Sequence, residues 1–249
     1  MLRTTVPIAV AALGAAVAPS AAAASPSANL SNGGVIVSAD RLVPVVDYWS
    51  ATTTNANGSK SSTSRTSLML VTSNPAGEAA TFYTLPRIGL DVVVLRGLTI
   101  GGSAWIYTDL SASTSTTPAN SSSSTSQDQP KATYWGVAPR VGYVLSVADV
   151  LAIWPRVGVE FHDVSTGSVT NQQVTTGGSS LTELALDLEA MLVITPWNHF
   201  GFTIGPMGAI PLTGTRSTTT TFANGQTNTT SNDSSMVAVG LNAGLLGYF

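Results

Sequence analysis

Residues 236–249 read Met236-Val237-Ala238-Val239-Gly240-Leu241-Asn242-Ala243-Gly244-Leu245-Leu246-Gly247-Tyr248-Phe249. The odd-numbered positions are Val237, Val239, Leu241, Ala243, Leu245, Gly247 and Phe249. Successive strand residues point to opposite faces, so this alternation predicts a β-strand with one apolar face. The same period recurs upstream. In Leu181–Ile194 one parity holds Glu183, Ala185, Asp187, Glu189 and Met191; the other holds Leu184, Leu186, Leu188, Ala190, Leu192 and Ile194. Arg87, Gly89 and Asp91 oppose Ile88, Leu90, Val92 and Val94, and Arg156, Gly158 and Glu160 oppose Val157, Val159 and Phe161.

Connections of two lengths separate such segments. Leu85–Leu95 turns at Arg96-Gly97 into Leu98–Leu110, Thr133–Leu145 turns near Ser146–Asp149 into Leu151–Val164, and Leu181–Ile194 turns at Thr195–Asn198 into His199–Leu212. Gly34–Trp49 precedes these pairs and Met236–Phe249 follows them. The longer connections are Ala51–Ser67, Ser111–Pro130, Ser165–Ser180 and Gly214–Ser235. They are built of Ser, Thr, Asn, Gly and Gln, which bury too little apolar surface to pack a core, and they read as solvated loops. Strict alternation of short and long connections predicts an all-β fold, an antiparallel up-and-down transmembrane β-barrel of eight strands. Ser67–Thr72 reads as a β-extension within the first outer loop. Ten strands is the alternative if another lies around Ala79–Thr84.

Charged residues make up only 9% of the chain, against roughly 25% in an ordinary soluble domain. A net charge of -3 gives no basis for a nucleic-acid partner. The absence of cysteine removes disulfides, thiolate chemistry and Cys-based metal sites. Residues 1–24 read as a cleaved signal peptide: Arg3, an Ala-rich apolar run from Pro7 to Val17, a break at Pro19-Ser20, and small residues Ala22 to Ala24. Residues 25–33 then form a short tail, and 34–249 the barrel domain.

The charged residues share the parity that opposes the large apolar ones. Arg41, Arg87, Asp91, Arg140, Arg156, Glu160, Asp187 and Glu189 are therefore expected to meet in the lumen as an ion-paired, structural network. An eight-stranded barrel is just wide enough for side chains to fill it, and the rigid guanidinium fork suits crowded carboxylates. A local pattern recurs in Pro86-Arg87-Ile88-Gly89, Pro139-Arg140-Val141-Gly142 and Pro155-Arg156-Val157-Gly158. It reads as a strand bend, an inward cation, and a glycine leaving room for a neighbouring lumen side chain. Aromatic residues favour the bilayer interfaces. Tyr48, Trp49, Tyr134 and Trp135 are expected in an outer girdle, and Trp154, Trp197, Tyr248 and Phe249 in a periplasmic one. Trp105 falls on the lumen parity.

No catalytic group stands out. His162 reads as a member of the polar core and His199 as an interfacial residue. No metal ligand set and no cofactor motif is found.

The final strand resembles the C-terminal β-signal of outer-membrane proteins. Asn242, Gly244 and Phe249 match its polar, glycine and terminal aromatic positions, and the assembly signal is assigned to Asn242, Gly244, Tyr248 and Phe249. Gly247 departs from the apolar residue that the pattern prefers. From Gly34 to Phe249 the chain resembles small outer-membrane β-barrels with an OmpA-type or OmpX-type transmembrane domain. That resemblance implies residence in the bacterial outer membrane, in contact with its lipid, as a monomer. It also implies handling by periplasmic chaperones and the β-barrel assembly machinery. The expected role is non-enzymatic, structural or surface-interacting. A narrow solute channel and a barrel enzyme acting on lipid or peptide are the alternatives. A soluble β-sandwich or lipocalin-like binder is disfavoured by the large residues on the lipid parity.

Overall fold

A computed structural model describes residues 34–54, 60–68, 85–109, 113–116, 125–128, 131–171, 174–176, 178–222 and 226–249. The expected signal peptide and tail, residues 1–33, lie outside the described residues.

The wall consists of β1 (Gly34–Thr54), β2 (Arg87–Leu95), β3 (Leu98–Thr108), β4 (Ala132–Tyr143), β5 (Leu151–Thr166), β6 (Ser179–Trp197), β7 (Phe200–Thr221) and β8 (Thr227–Tyr248). Each strand pairs antiparallel with the next, and β8 pairs with both β7 and β1, which closes the ring. The fold is the expected eight-stranded up-and-down barrel. Closure joins the first and last wall strands, removing the two open edges that a flat sheet of these strands would leave.

At one end the connections are two-residue turns: Arg96-Gly97, Asp149-Val150 and Asn198-His199. Such hairpins need left-handed backbone. Gly97 supplies it with φ 89°, and a Cβ there would stand 2.5 Å from the Val144 carbonyl oxygen. The β4–β5 turn is tighter than the sequence suggested, because Leu145–Ala148 stays extended and pairs back onto Leu151–Ile153.

The other end corrects the reading of the hydroxyl-rich stretches as loops. Thr215–Thr221 pairs with Thr227–Asp233, so β7 and β8 continue as a ribbon above the barrel. Ser113–Thr116 pairs with Thr125–Asp128 as a separate hairpin. Lys60–Leu68 pairs with Val46–Thr54 of β1. This segment takes in Ser67 and Leu68 of the anticipated extension; residues 69–72 lie outside the described residues. Composition misled here because threonine is β-branched and favours strands. Cross-strand hydroxyls also bond one another, as in Ser217–Ser231 at 2.9 Å, Thr219–Thr229 at 3.2 Å and Thr108–Thr133 at 3.0 Å.

The outer surface of the wall is apolar. Ile88 is 75% exposed and Ile106 77%, and Leu90, Val92, Ile100, Val137, Val141, Val157, Leu188, Ile204 and Val239 are exposed as well. A water-soluble protein rarely leaves such a contiguous belt uncovered, whereas lipid is its natural solvent.

Candidate functional site

Inside the wall the side chains form three layers. Nearest the short turns, Ile36, Val93, Val144, Ala152, Trp154, Met191, Val193, Leu246 and Tyr248 pack as one apolar cluster. Toward the ribbons, a second cluster contains Tyr134, Val164, Leu181, Met207 and Met236, with Leu85 and Tyr107 packed against it. Charged residues occupy the level between them.

The structure brings all eight sequence-assigned lumen charges into that middle layer, where all are buried. Arg41 donates from Nη2 to both Asp187 oxygens, at 3.1 and 3.0 Å, and to Glu189 Oε1 at 3.1 Å. Arg87 grips Glu160 with two parallel bonds of 3.0 and 2.8 Å. Arg140 donates from Nε and Nη2 to the two oxygens of Asp91, at 3.1 and 2.6 Å. Arg156 lies 2.6 Å from Glu189. The bidentate, charge-assisted contacts of Arg87 and Arg140 are the geometry that offsets the desolvation of buried ions.

Asp40 was missed by the sequence reading, yet it is central. It accepts from Arg140 at 2.7 Å, from Arg156 at 3.2 Å and from Ser38 at 3.1 Å. Strict alternation cannot send Asp40 and Arg41 to the same side. The β1–β8 register slips between Ala39 and Val43, and Arg41 takes φ 57°. This bulge turns consecutive residues inward. Positive φ is uncommon for a side-chain-bearing residue, and here the ion pairs of Arg41 hold it.

Glycines two residues after each arginine of the Pro-Arg repeat leave space for neighbours. A Cβ on Gly89 would stand 2.6 Å from Arg140 Nη2, and one on Gly142 would stand 3.0 Å from Arg156 Cγ. Two buried tryptophans face the same cations. Arg87 stacks 3.8 Å from the Trp105 ring, and Arg156 lies 4.5 Å from that of Trp154.

Three aromatic residues depart from the expected girdles. Trp154 is fully buried and donates from Nε1 to Thr99 Oγ1 at 3.0 Å. Tyr134 and Tyr248 are buried too. Each shares the inward parity of its strand: Trp154 that of Arg156, Tyr134 that of Arg140, and Tyr248 that of Asn242. Packing in the narrow lumen outweighs interfacial preference. Tyr48, Trp135, Trp197 and Phe249 do face outward. The Trp49 side chain lies outside what is described. Trp105 lies inside.

His162 is wholly buried, with Nδ1 3.6 Å from Glu160, and its cross-strand neighbour Glu183 shares the inner face. His199 occupies the β6–β7 turn, where Nδ1 stands 2.8 Å from the Tyr248 carbonyl oxygen. Of the assigned assembly signal, Asn242, Gly244 and Tyr248 point inward and Phe249 outward, its ring stacked on His199 at 6.0 Å. Among the described residues, no cluster of His, Asp and Glu has the arrangement of a metal site.

The fold is thus identified from its own pairing. This chain is a closed β-barrel with a charge-filled lumen. No family model and no curated protein matches it. Solved structures similar to it include the following two. Neisserial surface protein A is 12% identical over 87% of this chain and 97% of that chain, with a TM-score of 0.35. The outer membrane protease OmpT from Escherichia coli is 6% identical over 88% of this chain and 97% of that chain, with a TM-score of 0.42.

Proposed function

We propose that the barrel resides in the bacterial outer membrane as a monomeric, non-enzymatic protein. It is closed to solutes and presents its hydroxyl-rich outer hairpins at the surface. The observation that carries this reading is the layered lumen: an ion-paired belt lies between two apolar clusters. Water and ions crossing such a core would have to displace packed side chains or break buried ion pairs. In planar bilayers the purified protein is expected to give no steady single-channel current. Large, stable conductance steps would overturn the closed reading in favour of a channel.

Biogenesis in this reading runs through periplasmic chaperones and the β-barrel assembly machinery, which would recognise Asn242, Gly244, Tyr248 and Phe249 on β8. Removing Phe249 is expected to slow insertion several-fold in pulse-labelled cells. His199→Ala serves as the control, since it removes the ring stack and keeps the terminal aromatic. Equal slowing by both changes would assign the effect to the stack and not to recognition.

A further inference from the structure

At the rim of the barrel, the ladder between β7 and β8 opens. Paired contacts stop at Ala209↔Ala238 and resume at Thr215↔Asp233, so Ile210–Gly214 of β7 faces the shorter Ser234–Val237 of β8. On its other side β7 bulges at Leu212, between Thr213↔Leu184 and Pro211↔Ala185. Pro211 has no N–H to contribute. The opening forms a cleft of about 300 Å³, at the lower end of the range of roughly 300–1,000 Å³ for small-molecule sites. Thr52 and Thr54 of β1, Leu212 and Thr213 of β7, and Asp233 and Ser235 of β8 line it.

We propose that this cleft binds a neutral sugar. The lining offers several hydroxyls, one carboxylate and an apolar wall at Leu212 and Pro211. A sugar presents the complement, with hydroxyls that donate and accept at its edge and C–H groups on its face. An anionic headgroup such as a phosphate would meet the Asp233 carboxylate, with no cationic side chain among the described lining residues. A divalent cation would find a single carboxylate where it seeks several oxygen ligands of high charge. A wholly apolar ligand would desolvate the Asp233 carboxylate and the Thr54, Thr213 and Ser235 hydroxyls without replacing their water.

The height of the cleft fits the same ligand. Exposed Ile210 and Val239 lie on the barrel side of it, and the hydroxyl ribbon of Thr215–Thr221 and Thr227–Asp233 lies beyond. Unpaired backbone groups are not tolerated against hydrocarbon. The ladder break therefore belongs at the level of lipid headgroups or above. Both the headgroup of a membrane glycolipid and a free surface glycan offer sugar there. The height rests on the membrane reading above; the cleft and its chemistry do not.

The test uses the whole barrel in lauryldimethylamine oxide micelles, titrated with maltose and with dodecyl maltoside and followed by amide NMR. Saturable shifts are expected at Thr52, Thr54, Thr213, Asp233 and Ser235. The double variant Asp233→Leu, Thr54→Val should bind about tenfold more weakly, the scale of one or two lost hydrogen bonds. Its heat-modifiable gel mobility should be kept. Preference for dodecyl maltoside assigns the site to a lipid-borne sugar, and equal affinity assigns it to a free glycan. No saturable shift at these residues with either probe, or shifts indifferent to the double variant, would overturn the proposal. Parent protein whose mobility does not change on heating would count against the membrane barrel separately, since the titration reads the cleft in any surroundings.

Discussion

Replacing Arg140 by alanine is expected to destabilise the barrel by roughly 3–5 kcal/mol, the usual cost of removing one partner from a buried ion pair. Arg140 holds Asp91 with two bonds and Asp40 with one. The variant leaves Asp91 without its cation and Asp40 with Arg156 and the Ser38 hydroxyl. Both carboxylates are buried between apolar layers and cannot turn to water. Urea titration of the protein refolded in lipid vesicles, read by tryptophan fluorescence, measures the change. Arg96→Ala, at an exposed turn, should move the midpoint little. In the double variant Arg140→Ala, Asp91→Ala, part of the loss should return, because the stranded charge is gone. Equal stability of Arg140→Ala and Arg96→Ala would show that the belt does not hold the barrel together.

Placing arginine on the outside produces the second large effect. Val159 faces outward midway along β5, paired with Leu186 on β6. Val159→Arg is expected to cost roughly 2–4 kcal/mol in vesicles, the penalty for a cation on the lipid face near the midplane. Thr220→Arg, on the exposed ribbon, should be close to neutral in the same titration. In detergent micelles the gap between the two should narrow, because water reaches the side chain more easily. A Val159→Arg protein as stable as the parent in bilayers would place this face in water.

The sequence was most legible where a strand keeps its period. In β2, β5 and β6 the alternation runs unbroken through Arg87, Asp91, Arg156, Glu160, Asp187 and Glu189, so parity alone assigns each to the lumen. It became illegible at Asp40, because the bulge that admits both Asp40 and Arg41 is a property of the β1–β8 register, with no local signature such as glycine. Trp154 and Tyr248 were legible but misjudged: their parity pointed inward, and their place near strand ends was given more weight. The hydroxyl-rich stretches failed for another reason. Their composition resembles that of unstructured linkers, and only pairing reveals that threonine and serine are laddered there. The cleft at Asp233 depends on a mismatch of strand lengths across two interfaces, which no single segment records.

The bulge on β1 also bears on the order in which the molecule assembles. Arg140 and Arg156 meet Asp40 across 100 and 116 residues, and Arg41 meets Asp187 and Glu189 across 146 and 148. The hairpins β2–β3, β4–β5 and β6–β7 can form from neighbouring chain, but these contacts await the docking of β1. Contacts so distant along the chain are slow to form, since loop-closure entropy must be overcome before they contribute. Until then the open sheet carries guanidinium and carboxylate groups without their full set of partners. Its concave, charged side must stay hydrated until those partners arrive. Docking of β1 brings one anion and one cation together, so ring closure and the dehydration of the interior become a single late event. A substitution that straightens the bulge would act on that event, lengthening the life of the wet, open intermediate while leaving the earlier hairpins to form at their own pace.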